Sequence, residues 1–302
     1  MIRVAMIAMI AIVIGAKGLA VAEAGTLDKI RQAETITLGH PETSIPFAYL
    51  DADQKPVGYT LDICRAVAEE LKANLGLTKL EIRYNPVTSA TRIPLVANGT
   101  VDLECGNTTN LLDRHKYVSF APTTFVAQGV IISRKGGDVD PNDLKTFRGK
   151  TIVAQAGSIF FKLLSQASAN EKLGITLVTA NDLAQAFLMM ENGRAQGCAT
   201  DDGLAYALVA AAREPNNYVI STKGLDRFPY AIMLPRGDEE YKKQVDAAVR
   251  NLIQSGKVAQ LYEKYFNSPI PPHNINLNYP MSEPLKRALE KPTDSSNAAD
   301  YQ

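Results

Sequence analysis

Val96-Ala97-Asn98-Gly99-Thr100-Val101-Asp102 and Met190-Glu191-Asn192-Gly193-Arg194-Ala195-Gln196 share one layout. Each reads as the end of a helix, an Asn-Gly turn and the start of a strand. Followed in register, the first runs on to Gly106-Asn107-Thr108-Thr109 and the second to Thr200-Asp201-Asp202. Both end points are polar and lie where a strand gives way to the next element. Ligands of open α/β sheets bind beyond the carboxyl ends of the strands. Two such ends facing each other would make a cleft between two lobes.

The surrounding sequence carries the same alternation. Apolar or β-branched runs occur at Ile36–His40, Leu80–Val87, Val101–Gly106, Thr151–Gly157, Ala195–Thr200 and Tyr230–Pro235. Helical spacing lies between them: Leu61, Cys64, Ala68 and Leu71 recur on one face, as do Leu183, Phe187 and Met190. Asp238 to Gln254 opens with an acidic first turn and stops before Gly256. Strands alternating with helices point to an α/β fold with mainly parallel sheets. Beyond Asn267 the chain is rich in Pro, Asn and Ser, which predicts an extended wrap and then a frayed tail.

The N-terminus reads as an address. Arg3 precedes an apolar run from Val4 to Ala16, and Ala22-Glu23-Ala24 fits a small-residue cleavage site. The run falls short of the about 20 apolar residues that a membrane-spanning helix needs. A cleaved signal over residues 1–24 and an exported, soluble mature protein are therefore expected. Removing 24 of the 302 residues leaves 278, comfortable for two lobes of ordinary size. The 32 basic residues balance the 32 acidic ones, with no basic stripe, which argues against a nucleic-acid partner or an anionic membrane surface. Cys64, Cys105 and Cys198 allow one disulfide at most, in any of three pairings, but all three are expected to serve merely as small buried apolar residues. The three histidines have no paired ligand spacing, so neither a metal nor another cofactor is expected.

Several stretches together are recognisable: Gly39-His40 through Pro46-Phe47; Gly58-Tyr59-Thr60-Leu61-Asp62; Thr88-Ser89-Ala90-Thr91-Arg92-Ile93-Pro94-Leu95; Asn98 through Asn110; and Asn267-Ser268-Pro269-Ile270-Pro271-Pro272. They resemble the family 3 extracellular solute-binding proteins, nearest the periplasmic glutamate/aspartate-binding proteins of ABC importers. The resemblance implies a type II periplasmic binding protein fold, with two lobes joined by a two-strand hinge. It places the first lobe at 25–125 and 230–302, the latter including the tail, and the second lobe at 126–229. The crossings fall near Thr124–Gln128 and Arg227–Tyr230. It implies a monomeric binding protein, not an enzyme, that closes on a small amino acid and is read by an inner-membrane permease.

The chemistry of an amino acid explains the residue types. An α-carboxylate wants a bidentate arginine and N–H donors at a helix start. By resemblance Arg114 is that arginine, with Thr109 capping the same helix and donating beside it. Ser158 is a good N-cap for the helix from Ile159, and by resemblance it closes on the carboxylate from the second lobe. Asp201 stands where the family places the acid for the ammonium, and Asp202 is expected to cap the helix beginning near Gly203. Ser89 and Arg92 match the pair that reads the distal end of acidic ligands. Asn107 replaces a more usual serine, and Ser44 precedes the Pro-Phe pair where relatives carry a lid. Two departures bear on specificity: relatives usually carry arginine where this chain has Pro41 and histidine where it has Leu183. A charge-assisted hydrogen bond lost from a buried carboxylate weakens binding by about 1.5–3 kcal/mol. The distal pocket should therefore be more apolar than in those relatives, with glutamate and aspartate held less tightly. Phe47, Tyr49 and Tyr59 can wall the cleft or pack the core, and His40 is expected to be structural. The other reading is a periplasmic enzyme on this scaffold, such as a cyclohexadienyl or arogenate dehydratase. It needs an acid or base in the cleft, for which Glu42 and Glu104 are the nearby candidates.

Overall fold

A computed structural model describes residues 25–272 and 274–301. The expected signal segment lies outside the described residues. Two separate sheets organise the chain. The first has five strands in the order Glu81–Pro86, Thr35–His40, Leu103–Glu104, Met233–Pro235 and Val118–Phe120. Thr35–His40 runs parallel to both of its neighbours, and Met233–Pro235 is antiparallel to both of its own. The second sheet orders Thr176–Ala180, Thr151–Gln155, Gly197–Asp201, Phe125–Arg134 and Tyr218–Ile220, with Arg227–Tyr230 also paired to Phe125–Arg134. Each sheet thus has a parallel portion built from strand-helix-strand repeats. Antiparallel strands complete it where the chain arrives from the other sheet.

The repeated Asn-Gly signal takes the same form in both halves. The helices Arg92–Ala97 and Leu183–Glu191 end on Asn98 and Asn192. Gly99 and Gly193 follow at φ 74° and 72°, and each donates its N–H back to the last turn. Only glycine takes this left-handed conformation without strain. The strands that follow carry Glu104 and Asp201 at their carboxyl ends.

The chain passes to the second sheet along Phe125–Arg134 and returns along Arg227–Tyr230, the two strands pairing antiparallel from Arg227↔Gln128 to Tyr230↔Phe125. An aromatic cluster anchors this crossing. Phe125 stacks on Phe266 at 5.3 Å, Phe266 on Tyr262 at 4.3 Å, and Phe47 meets Phe125 edge-on at 4.8 Å. The Tyr59 hydroxyl donates to the Thr124 carbonyl at 2.7 Å. Phe47, Tyr49 and Tyr59 are all fully buried, so they pack the core and anchor the crossing. Aromatic pairs in this geometry add stability beyond their buried area.

Two local expectations need correction. Cys64 and Cys105 do not merely pack: they form a disulfide with Cα atoms 6.1 Å apart, and only Cys198 is free and buried. The bond ties the helix Tyr59–Asn74 to the end of Leu103–Glu104, a proximity that the sheet creates and sequence spacing does not reveal. The tail is also not frayed. Ser282 caps the helix Glu283–Glu290, which buries Leu285 and Ala288. Tyr301, 1% exposed, shares a hydrogen bond with Thr123 at 2.9 Å. Thr123 N–H donates to the Thr293 carbonyl at 2.9 Å, and Asn110 Nδ2 to that of Asp294 at 2.8 Å. A single deeply buried aromatic outweighs the polar composition around it.

Candidate functional site

Between the two sheets lies a narrow cavity of about 20 Å³. Seven of the eight sequence candidates line it. Ser89, Arg92, Asn107, Thr109 and Arg114 come from the side of the first sheet, and Ser158 and Asp201 from the second. Ser44 does not: it is buried in a small three-stranded sheet, pairs with Ala48 and accepts from Phe47 N–H at 2.7 Å. On the strand Thr43–Ser44 it is 4% exposed and lies outside the cavity lining.

Arg114 sits on a single 3-10 turn, Leu112–Arg114, rather than on a helix capped by Thr109. Its Nη1 reaches back to donate to the Thr109 carbonyl at 2.7 Å, which holds the guanidinium against the cavity. Burial, with Arg92 adding repulsion, lowers its pKa to about 10, so it stays charged at neutral pH. Arg92 is 5% exposed and its Nε has no hydrogen-bond partner.

On the opposite wall Ser158 precedes the helix Ile159–Asn170, but its hydroxyl does not cap it. It donates to the Gln155 carbonyl at 2.6 Å. The first N–H groups of that helix are therefore left without a side-chain cap and can meet an anion. Gly157 makes the close approach of the two walls possible. It has φ +74°, and a Cβ there would lie 3.0 Å from the Ser89 carbonyl.

Asp201 occupies the N-cap position of Asp202–Ala211 without making a cap bond. The carboxylate of Asp202, expected to cap, accepts from its neighbour Gly203 N–H at 2.8 Å and from the Tyr279 hydroxyl, and it does not line the cavity. Asp201 is 6% exposed and its Oδ1 is unpartnered. Its pKa is raised to about 7, chiefly by burial, with the adjacent Asp202 acting in the same sense. Tyr230, Arg92 and Arg114 act in the opposite sense.

The sequence reading missed several lining residues. Gln155 and Thr200 follow from the same strand-end logic that selected Asp201, while Phe160 and Leu204 are apolar helix positions with no local signal. Neither Pro41 nor Leu183 lines the cavity. Nor does Glu104, which is fully buried at the end of its strand and accepts from the Thr108 hydroxyl through Oε2. Burial raises its pKa, and Arg92 is the strongest charge opposing that rise. His40 is buried, with Nδ1 at 3.1 Å from the Pro41 carbonyl and its ring edge-on to Tyr84, as a structural role requires.

The arrangement offers a cation and a carboxyl from opposite walls, with spare donors beside the cation. The chain as a whole is similar to known proteins. The chain is 42% identical over 273 residues, covering 90% of both chains, to the L-glutamate/L-aspartate-binding protein of Pseudomonas aeruginosa strain PAO1. It is 38% identical to the glutamate/aspartate import solute-binding protein of Salmonella typhimurium strain LT2, covering 92% of this chain and 94% of that one. Among solved structures, a mutant of the T. maritima protein ArgBP superposes with TM-score 0.71 at 27% identity, covering 79% of this chain and 98% of that one. The sequence pattern of one family matches residues 36–268. The chain belongs to the bacterial extracellular solute-binding proteins, family 3.

Proposed function

We propose that the protein is the periplasmic substrate-binding component of an amino-acid ABC importer, taking a polar or acidic L-amino acid in the cavity between its lobes. One observation carries this reading: Arg114 and Asp201, 87 residues apart in sequence, line the same cavity from opposite walls. A guanidinium for the α-carboxylate and a carboxylate for the α-ammonium fit a zwitterion and little else. Thr109, Asn107 and Ser158 stand beside the guanidinium to complete the carboxylate pocket, and Ser89 with Arg92 faces the distal end of the ligand.

Because contacts come from both lobes, ligand binding stabilises the closed form over the open one. A permease that reads the closed surface then receives a loaded protein. The lobe boundaries at 125/126 and 229/230 put the hinge in the paired strands Phe125–Arg134 and Arg227–Tyr230. The curated relatives are solute-binding proteins rather than enzymes, and the role here is binding. Glu104, the acid an enzyme would require, is engaged by Thr108.

A thermal-shift screen of the mature protein against the common L-amino acids tests this. A ligand at 100 times its Kd stabilises by about 2.7 kcal/mol, an easily seen rise in Tm. Absence of any shift across the set would defeat the proposal.

A further inference from the structure

We infer that Tyr279 is a positioning residue for ligand binding: its hydroxyl, donated to the buried carboxylate of Asp202, ties the strand end that carries Asp201 to the body of the first sheet. This rests on the zwitterion reading above and adds to it a residue outside the cavity.

Asp202 directly follows the acid that faces the ligand. Asp201 ends the strand Gly197–Asp201 opposite Gly129, and Asp202 opens the helix Asp202–Ala211. Gln128, one step further along the partner strand, is where Phe125–Arg134 pairs with Arg227 of the returning strand. The Asp202 carboxylate therefore stands at the crossing between the two sheets, buried and away from the cavity lining. A buried carboxylate needs partners. Gly203 N–H supplies one at 2.8 Å from its own helix, and the Tyr279 hydroxyl supplies the other.

Tyr279 is held on the side of the first sheet. Its N–H donates to the Phe266 carbonyl at 3.1 Å, and its own carbonyl accepts from the Tyr262 hydroxyl at 3.1 Å. Both partners lie on the helix Lys257–Phe266, within the aromatic cluster around Phe125. From that fixed backbone the side chain reaches the helix Asp202–Ala211 at two points one turn apart. The hydroxyl meets Asp202, and the ring lies 5.1 Å from that of Tyr206. The Tyr279 bond also leads the contacts opposing the rise in pKa that burial imposes on Asp202, which favours the carboxylate as an acceptor.

An acid that meets a ligand ammonium must stand at a fixed place, because a charge-assisted bond depends on its geometry. Asp201 and Asp202 share a peptide unit, so holding one carboxylate restrains the backbone from which the other projects. Without the tie the strand end is freer and the arrangement of the two walls less stable. Part of the ligand's interaction energy then goes into restoring it.

Tyr279→Phe deletes the hydroxyl and keeps the ring against Tyr206 and Phe266. Calorimetric titration compares wild type, Tyr279→Phe, Asp202→Ala and the double variant, with a melting curve for each. The probes are L-glutamate, L-aspartate, L-glutamine and L-asparagine, followed by the remaining common L-amino acids if none of these binds. For the probe that wild type binds tightest, Tyr279→Phe should raise Kd about fivefold or more, part of the roughly tenfold that a charge-assisted bond supplies. In the Asp202→Ala background the same substitution should change Kd by less than about twofold, since the tie is already gone. A purely structural role would lower Tm and leave Kd of the folded protein alone. An unchanged Kd in Tyr279→Phe, or an equal loss in the Asp202→Ala background, overturns this inference and leaves the zwitterion reading standing. If Asp202→Ala does not fold, Tyr279→Phe decides alone. If wild type binds no amino acid, both readings fall together.

Discussion

Asp201→Asn should strengthen the ligand-free protein while weakening its grip on a ligand. The Asp201 carboxyl is 6% exposed with Oδ1 unpartnered, and burial lifts its pKa from the ordinary 3.8 to about 7. A folded-state value above the unfolded one means that the native protein binds the proton more tightly than the unfolded chain does. The associated stability is fully present below pH 4 and is lost as pH rises through 7. That rise corresponds to about 4 kcal/mol by pH 8, an upper limit because the asparagine amide still buries polar atoms. Urea unfolding followed by circular dichroism should therefore find the two proteins similar near pH 4, with the variant more stable by up to about 4 kcal/mol at pH 8. The same substitution removes the charge-assisted partner of a ligand ammonium, about 1.5–3 kcal/mol or at least tenfold in Kd. Wild-type binding should in turn weaken as pH falls below 7, because the ligand requires the ionised form and binding expels the proton. A variant that is no more stable than wild type at pH 8, or that keeps its affinity, would refute the assignment of Asp201 as a buried, unpaired carboxylate reserved for a ligand.

Arg114→Lys keeps the charge but loses the planar fork, and titration should find ligand affinity reduced more than tenfold with little change in Tm. Replacing Cys64 and Cys105 together by Ser opens a loop spanning 41 positions; the chain-entropy relation gives a loss of about 4 kcal/mol, to be read from unfolding in denaturant against the oxidised protein, and an unchanged midpoint would disprove the bond. Tyr301→Ala removes a buried aromatic and its bonds to Thr123 and Ser295. A loss of about 3 kcal/mol is expected, whereas a frayed tail would give none.

Local chemistry decided a large part of this protein. Periodicity placed the strands and helices, and the two Asn-Gly turns, with glycine in the left-handed region after each helix, set the strand ends where Asn107 and Asp201 emerge. These signals are short-range, spanning a few residues and one backbone conformation, so a linear reading captures them. Asp238 is a clear case: its side chain accepts from Tyr241 N–H at 3.0 Å, as a cap at the start of an acidic turn should.

Tertiary structure decided the pairings. Whether the Ser158 hydroxyl caps its helix or turns to Gln155, which cysteine meets Cys105, and that a polar tail ends in a buried tyrosine all depend on groups distant in the chain. The electrostatics of the cavity belong to the same class. Asp201 in sequence is one acid at a strand end. Its raised pKa arises only when folding removes it from water and sets it near Asp202, Arg92 and Arg114, because Coulomb interactions that solvent would screen become strong inside a low-dielectric interior.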